Sequence, residues 1–128
     1  MRKILLLSIL ILIGFSCEKD DCCSANGIEG KWEWVQSVGG LGGWTQTPAT
    51  EGITKELIIT ETTYQEFIEG NLVREEIYIL ETRQDSFFNT NRFMIFNTGG
   101  ERAIKVDGDQ LEIHELCADC FSHTYTRE

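Results

Sequence analysis

Cationic residues are scarce in this chain. Eleven Lys and Arg stand against 21 Asp and Glu, giving a net charge of −10 at pH 7. Nucleic-acid binding works by neutralising phosphates with Lys and Arg, so this balance argues against it. It argues equally against a polybasic patch for acidic lipid. Acidity of this kind favours solubility rather than one specific partner. Long apolar runs are missing as well. The longest, Ile4 to Ile13 and broken only by Ser8, falls short of the roughly 20 residues of a transmembrane helix. There are two histidines, His114 and His123, and no His-x-x-x-His spacing for a catalytic metal. Nucleophile elbow, P-loop and Rossmann fingerprint are all absent. Internal repeats and low-complexity segments are lacking too. No cofactor, no metal and no enzymatic activity are expected.

The N-terminus is informative. Arg2 and Lys3 precede the short apolar run, and Gly14, Phe15 and Ser16 follow it. This order reads as a signal peptide over residues 1–16. Its removal leaves 9 of the 11 basic residues against all 21 acidic ones, a net charge near −12. Gly14-Phe15-Ser16-Cys17 resembles a bacterial lipobox, which implies acylation of Cys17. Two or three acyl chains hold a protein on a membrane where one is marginal. Glu18-Lys19-Asp20-Asp21 is similar to the export tag of Bacteroidetes-type lipoproteins. That likeness implies a lipid-anchored outer-membrane protein displayed at the cell surface; the alternative is the periplasmic face. Residues 17–27 are then an acylated tether and 28–128 the domain.

Within 28–128, short alternating runs replace helical periodicity. Eight strands are expected: Lys31 to Val38, Ile53 to Thr60, Tyr64 to Glu69, Leu72 to Thr82, Arg92 to Asn97, Arg102 to Val106, Asp109 to Leu116 and Phe121 to Arg127. In the first, Trp32, Trp34, Gln36 and Val38 share one face. In the fourth, Ile77 and Ile79 share one face, Tyr78 and Leu80 the other. Asp107-Gly108 is a strong hairpin signal, because a type I′ turn needs positive φ at both central residues. Gly39 to Thr50, which holds the single proline, Pro48, reads as a long irregular stretch. It is either a flexible connector or a lid that closes with Leu41 and Trp44. Strands joined in sequence close most simply as an up-and-down antiparallel barrel, which removes both sheet edges. The fold class is therefore all-β.

Five cysteines are present. With Cys17 acylated, Cys22, Cys23, Cys117 and Cys120 remain for disulfides in an oxidising compartment. One option bridges Cys117 to Cys120 across a hairpin turn. The other ties Cys22 and Cys23 to the last hairpin, and it is the expected one because it uses all four thiols. Zinc is disfavoured, since adjacent cysteines suit a tetrahedral site poorly. Thioredoxin-like chemistry wants its first cysteine at a helix N-terminus, and Cys117 lies between two strands.

The domain resembles a lipocalin. Gly30-Lys31-Trp32 matches the Gly-x-Trp that opens the first lipocalin strand, and Tyr125-Thr126-Arg127 ends the last. The resemblance implies that Arg127 packs over Trp32 and closes the barrel base, a cation–π contact of about 1 kcal/mol. It covers residues 28–128. It implies a barrel that takes a small apolar or amphipathic molecule, with Trp32, Trp34, Leu57, Ile59, Ile77, Ile79, His123 and Tyr125 as candidate lining. The alternative is a filled barrel, a structural or interaction protein acting through surface loops. His123 should face inward with Tyr125, and His114 outward. Glu66, Glu75, Glu112 and Glu115 read as solvated strand carboxylates. Ser122 beside His123 is no catalytic pair, because adjacent strand residues point to opposite faces.

Overall fold

Two large aromatics two residues apart, flanked by charge, set the first strand. In β1 (Gly30–Gly39), Trp32 and Trp34 are buried while Lys31 and Glu33 face water. The computed structural model describes residues 27–128. The signal segment 1–16, Cys17, Cys22, Cys23 and the tether up to residue 26 lie outside the described residues.

The chain continues through β2 (Trp44–Gln46), a four-residue helix α1 (Pro48–Glu51), β3 (Lys55–Ile59), β4 (Thr63–Ile68), β5 (Asn71–Thr82), β6 (Arg92–Phe96), β7 (Glu101–Asp107), β8 (Gln110–Glu115) and β9 (Ser122–Arg127). Eight strands, β1 and β3 to β9, pair antiparallel in sequence order, and β9 closes back onto β1. The fold is an all-β, closed, up-and-down barrel. The ninth strand, β2, was not expected from the sequence. It pairs with Ser37–Gly39 of β1, on the side where β3 pairs with Gly30–Glu33. The supposed irregular stretch is thus a hairpin plus a capped turn, in which Thr47 takes the N-cap and Pro48 opens the helix. Leu41 is 93% and Trp44 70% exposed, so neither packs down as a lid.

Two face assignments need correction. Against β9, Trp34 pairs with Tyr125 but Gln36 pairs with Thr124, so Val35 is an extra residue. A bulge of this kind reverses side-chain parity. Ser37 becomes fully buried and Val38 turns outward; Trp32, Trp34, Gln36 and Val38 do not share a face. In β5, Tyr78 is buried and Leu80 packs against the core, whereas Ile77 and Ile79 are 55% and 64% exposed. Both faces of this strand carry apolar residues, and the aromatic wins the inside. Tyr78 sits opposite Phe96, and its hydroxyl donates to the Thr60 carbonyl.

The core is continuous through the barrel axis and includes Ile28, Trp32, Trp34, Leu57, Ile59, Met94, Ile104, Leu111 and Ile113. One end is sealed. The Trp32 indole N–H donates to the Ile28 carbonyl at 2.8 Å. The Arg127 guanidinium lies 4.1 Å from the Trp32 ring centre and donates to the carbonyls of Glu29 and Gly27, each at 2.8 Å. Among the described residues, 27–128, the strands close on one another and supply this whole core, so the barrel buries its interior and pairs β9 with β1 from its own residues.

The cysteine expectation also changes. Cys117 and Cys120 form a disulfide with one another, their Cα atoms 5.2 Å apart. The turn between two antiparallel strands already holds these residues at bridging distance. Neither sulfur is left for Cys22 or Cys23.

Candidate functional site: the charged mouth of the barrel

The end of the barrel away from Trp32 has a different inner face. Side chains alternate along each strand, so residues in step with the core point inward. Lys55 is in step with Leu57, Glu66 with Tyr64, and Arg74 and Glu76 with Tyr78. Arg102 is in step with Ile104, Glu115 with Ile113, and His123 with Tyr125. Aromatic rings support the three cations. Lys55 Nζ lies 4.3 Å from the Trp34 ring centre. The Arg74 guanidinium lies 4.6 Å from Phe96 and 5.5 Å from Tyr64; that of Arg102 lies 5.9 Å from Phe96. Contacts of this kind strengthen as the cation loses water.

The hydrogen bonds here are unevenly satisfied. Arg74 is paired with Glu76. Arg102 meets Glu115 only at 3.9 Å. Tyr64 is fully buried, edge-on to Phe96 at 5.3 Å, and its hydroxyl has no hydrogen-bond partner among the described residues. Burial holds the Tyr64 phenol well above its ordinary pKa, opposed in part by Arg102 and Arg74. Tyr125 is raised for the same first cause. Both stay protonated, hence able to donate, at neutral pH.

A polar chain crosses the β1–β9 seam at this mouth. The Trp34 indole N–H donates to Ser37 Oγ at 2.9 Å, Ser37 Oγ lies 2.6 Å from His123 Nδ1, and His123 Nε2 lies 3.2 Å from Glu115 Oε1. An indole can only donate. Ser37 therefore accepts from Trp34; with its own hydroxyl donating to Nδ1, the single proton of a neutral ring sits on Nε2, facing Glu115. This order suits a neutral imidazole, and burial lowers the His123 pKa against the opposing pull of Glu115. The trio has the composition of a hydrolytic triad. Ser37 Oγ, however, is buried and engaged on both sides, so it offers a substrate no approach.

No family model, no curated protein and no solved structure matches this chain.

Of the candidate lining residues, Trp32, Trp34, Leu57, Ile59 and Tyr125 are inside, and His123 stands at the mouth with its side chain 17% exposed. Ile77 and Ile79 are outside. Trp32, Leu57 and Ile59 belong to the packed interior, while Trp34 and Tyr125 lie in the row next to the mouth, paired across the seam. Sequence reading missed the inward Lys55, Arg74 and Arg102. Alternation could have placed Arg74, once Tyr78 was taken as inward. His114 presents its Nδ1 to Ser122 Oγ at 2.7 Å on the outer face, beneath a stacked Phe88. Glu75 also faces outward, hydrogen-bonded to Gln65.

Proposed function

We propose that this chain is a lipid-anchored cell-envelope lipoprotein, held in the outer membrane through Cys17. Its lipocalin-like barrel binds a small amphipathic molecule at the mouth and has no catalytic role. The observation that carries the binding reading is the Tyr64 hydroxyl, buried and unpartnered inside the barrel. Leaving such a group unmade costs about 1–3 kcal/mol, a cost that a ligand would remove. Aromatic rings beside polar groups suit a molecule with one apolar and one polar end. A soluble chain from Glu18 onward keeps the whole barrel. It should bind a fluorescent amphipathic probe at one saturable site; a well-folded protein with no saturable binding rejects the reading. Cys17→Ser should abolish membrane association or leave an uncleaved precursor, and retention on membranes at the mature size rejects the anchor.

The second reading, an interaction protein working through loops, draws on one observation. Leu41 and Trp44 on the β1–β2 hairpin, and Phe87 between β5 and β6, are 93%, 70% and 78% exposed. Large apolar groups so exposed mark contact surfaces when they are contiguous. It predicts that replacing these three with serine abolishes a protein contact in the envelope and leaves probe binding unchanged.

A further inference from the structure

We infer that the mouth selects a small organic anion, which enters head-first and stops above the packed base; this rests on the binding reading above and names its ligand. The first argument is the distribution of charge. Residues 27–128 hold eight Lys and Arg and eighteen Asp and Glu. Three of the eight cations, Lys55, Arg74 and Arg102, face inward at the mouth. Only three of the eighteen carboxylates, Glu66, Glu76 and Glu115, do so. An acidic exterior around an interior of balanced charge leaves the mouth less repulsive to an anion than the outer face of the described barrel, and low-dielectric walls focus that difference.

The second argument is the balance of donors and acceptors. Arg74 and Glu76 satisfy one another. Glu115 is engaged by His123 at 3.2 Å and meets Arg102 only at 3.9 Å. Arg102 is thus left with most of its five N–H groups unused, although its side chain is only 19% exposed. Lys55 contacts only the Trp34 ring among the described residues. The Tyr64 hydroxyl has no hydrogen-bond partner among the described residues. Against these donors stands one acceptor without a hydrogen bond among the described residues, the Glu66 carboxylate. A site with donors in excess is completed by a ligand that brings acceptors, and a carboxylate or similar oxyanion brings the most in the least volume. The third argument is depth. Trp32, Leu57, Ile104, Leu111 and Ile113 are all fully buried below the mouth, so a long chain has no room to follow the head inward.

The test uses the soluble chain from Glu18 and titration calorimetry with hexanoate, 1-hexanol and palmitate, beside the fluorescent amphipathic probe. Hexanoate should bind at one site, at least tenfold more tightly than 1-hexanol, and palmitate should gain no more than a few-fold over hexanoate. Tyr64→Phe should weaken hexanoate at least fivefold while leaving the melting temperature unchanged or raised, because it deletes a buried hydroxyl that had no partner. A purely structural tyrosine would show the reverse pattern. Equal binding of hexanoate and 1-hexanol, or binding of the probe but of neither, overturns the anion inference and leaves the binding reading standing. Binding of none of the four overturns both. A palmitate affinity far above that of hexanoate would mean a hollow base and would overturn the head-first, shallow placement.

Discussion

Gly30 shows how one position can be fixed by its neighbour. Its φ is +135°, and a Cβ there would lie 2.8 Å from Arg127 Nη1. The glycine before Lys31-Trp32 therefore leaves room for the guanidinium that covers Trp32. The motif was legible in the sequence as a likeness; its causes are the positive φ, which L side chains rarely adopt, and this close approach. Truncating a packed Trp typically costs about 3–5 kcal/mol. Trp32→Ala should therefore lose most of the stability of so small a domain. Arg127→Ala should cost less, because Ile28 and the indole hydrogen bond still hold the ring. Urea denaturation of both variants would show it, and an Arg127→Ala loss equal to that of Trp32→Ala would contradict it. His123 carries a second prediction. Burial lowers its folded-state pKa below the ordinary 6.5, so the unfolded chain binds the proton more readily. The stability it contributes is complete above about pH 6.5 and is lost as the pH falls towards the folded value. Melting temperatures of the wild type should fall more steeply than those of His123→Gln as the pH drops from 7 to 5. Parallel curves would exclude His123 as the cause.

Alternation and turn chemistry made most strands readable. The β7–β8 and β4–β5 turns were legible to within one residue: Asp107 and Asn71 pair inside the strands, and the turns are Gly108-Asp109 and Glu69-Gly70. Both central residues have positive φ only in the second, and Gly108 alone in the first, so Asp107-Gly108 does not make the expected type I′ turn. Three features escaped for identifiable reasons. The bulge at Val35 has no local signature, because its position depends on how β9 pairs with β1. The β5 faces were ambiguous, because isoleucine and tyrosine alternate there and only Phe96 opposite decides between them. The β2 strand is three residues long and pairs with only the last three residues of β1, too little pattern to detect. The number of thiols points to a staple from Cys22 and Cys23, but the hairpin geometry places Cys117 beside Cys120 and decides the pairing. A bridge closing so few residues gains only about 2 kcal/mol by loop-closure entropy. Cys117→Ser with Cys120→Ser should thus lower stability modestly and leave the barrel folded. Peptide mapping of the oxidised protein should recover Cys117 linked to Cys120. Either residue linked to Cys22 or Cys23 would contradict this arrangement.

Taken whole, the molecule is a barrel with two unlike ends: one sealed by Trp32, Arg127 and the Gly27–Glu29 backbone, the other lined by cations, carboxylates and an unpartnered phenol. The barrel was legible from the number and spacing of strands. The charged mouth was not, because Lys55, Arg74 and Arg102 look like ordinary outward residues until closure assigns their faces. The three tryptophans sample the consequences separately. Trp32 sits at the sealed end, Trp34 under Lys55 beside the mouth, and Trp44 on the exposed β1–β2 hairpin. The most direct measurement is a nitrogen–proton correlation spectrum of the three indole N–H groups during titration with hexanoate. A ligand held at the mouth moves the Trp34 resonance progressively to saturation and leaves those of Trp32 and Trp44 in place. Movement of Trp32 equal to that of Trp34, or of Trp44 alone, would contradict a ligand seated at the charged mouth.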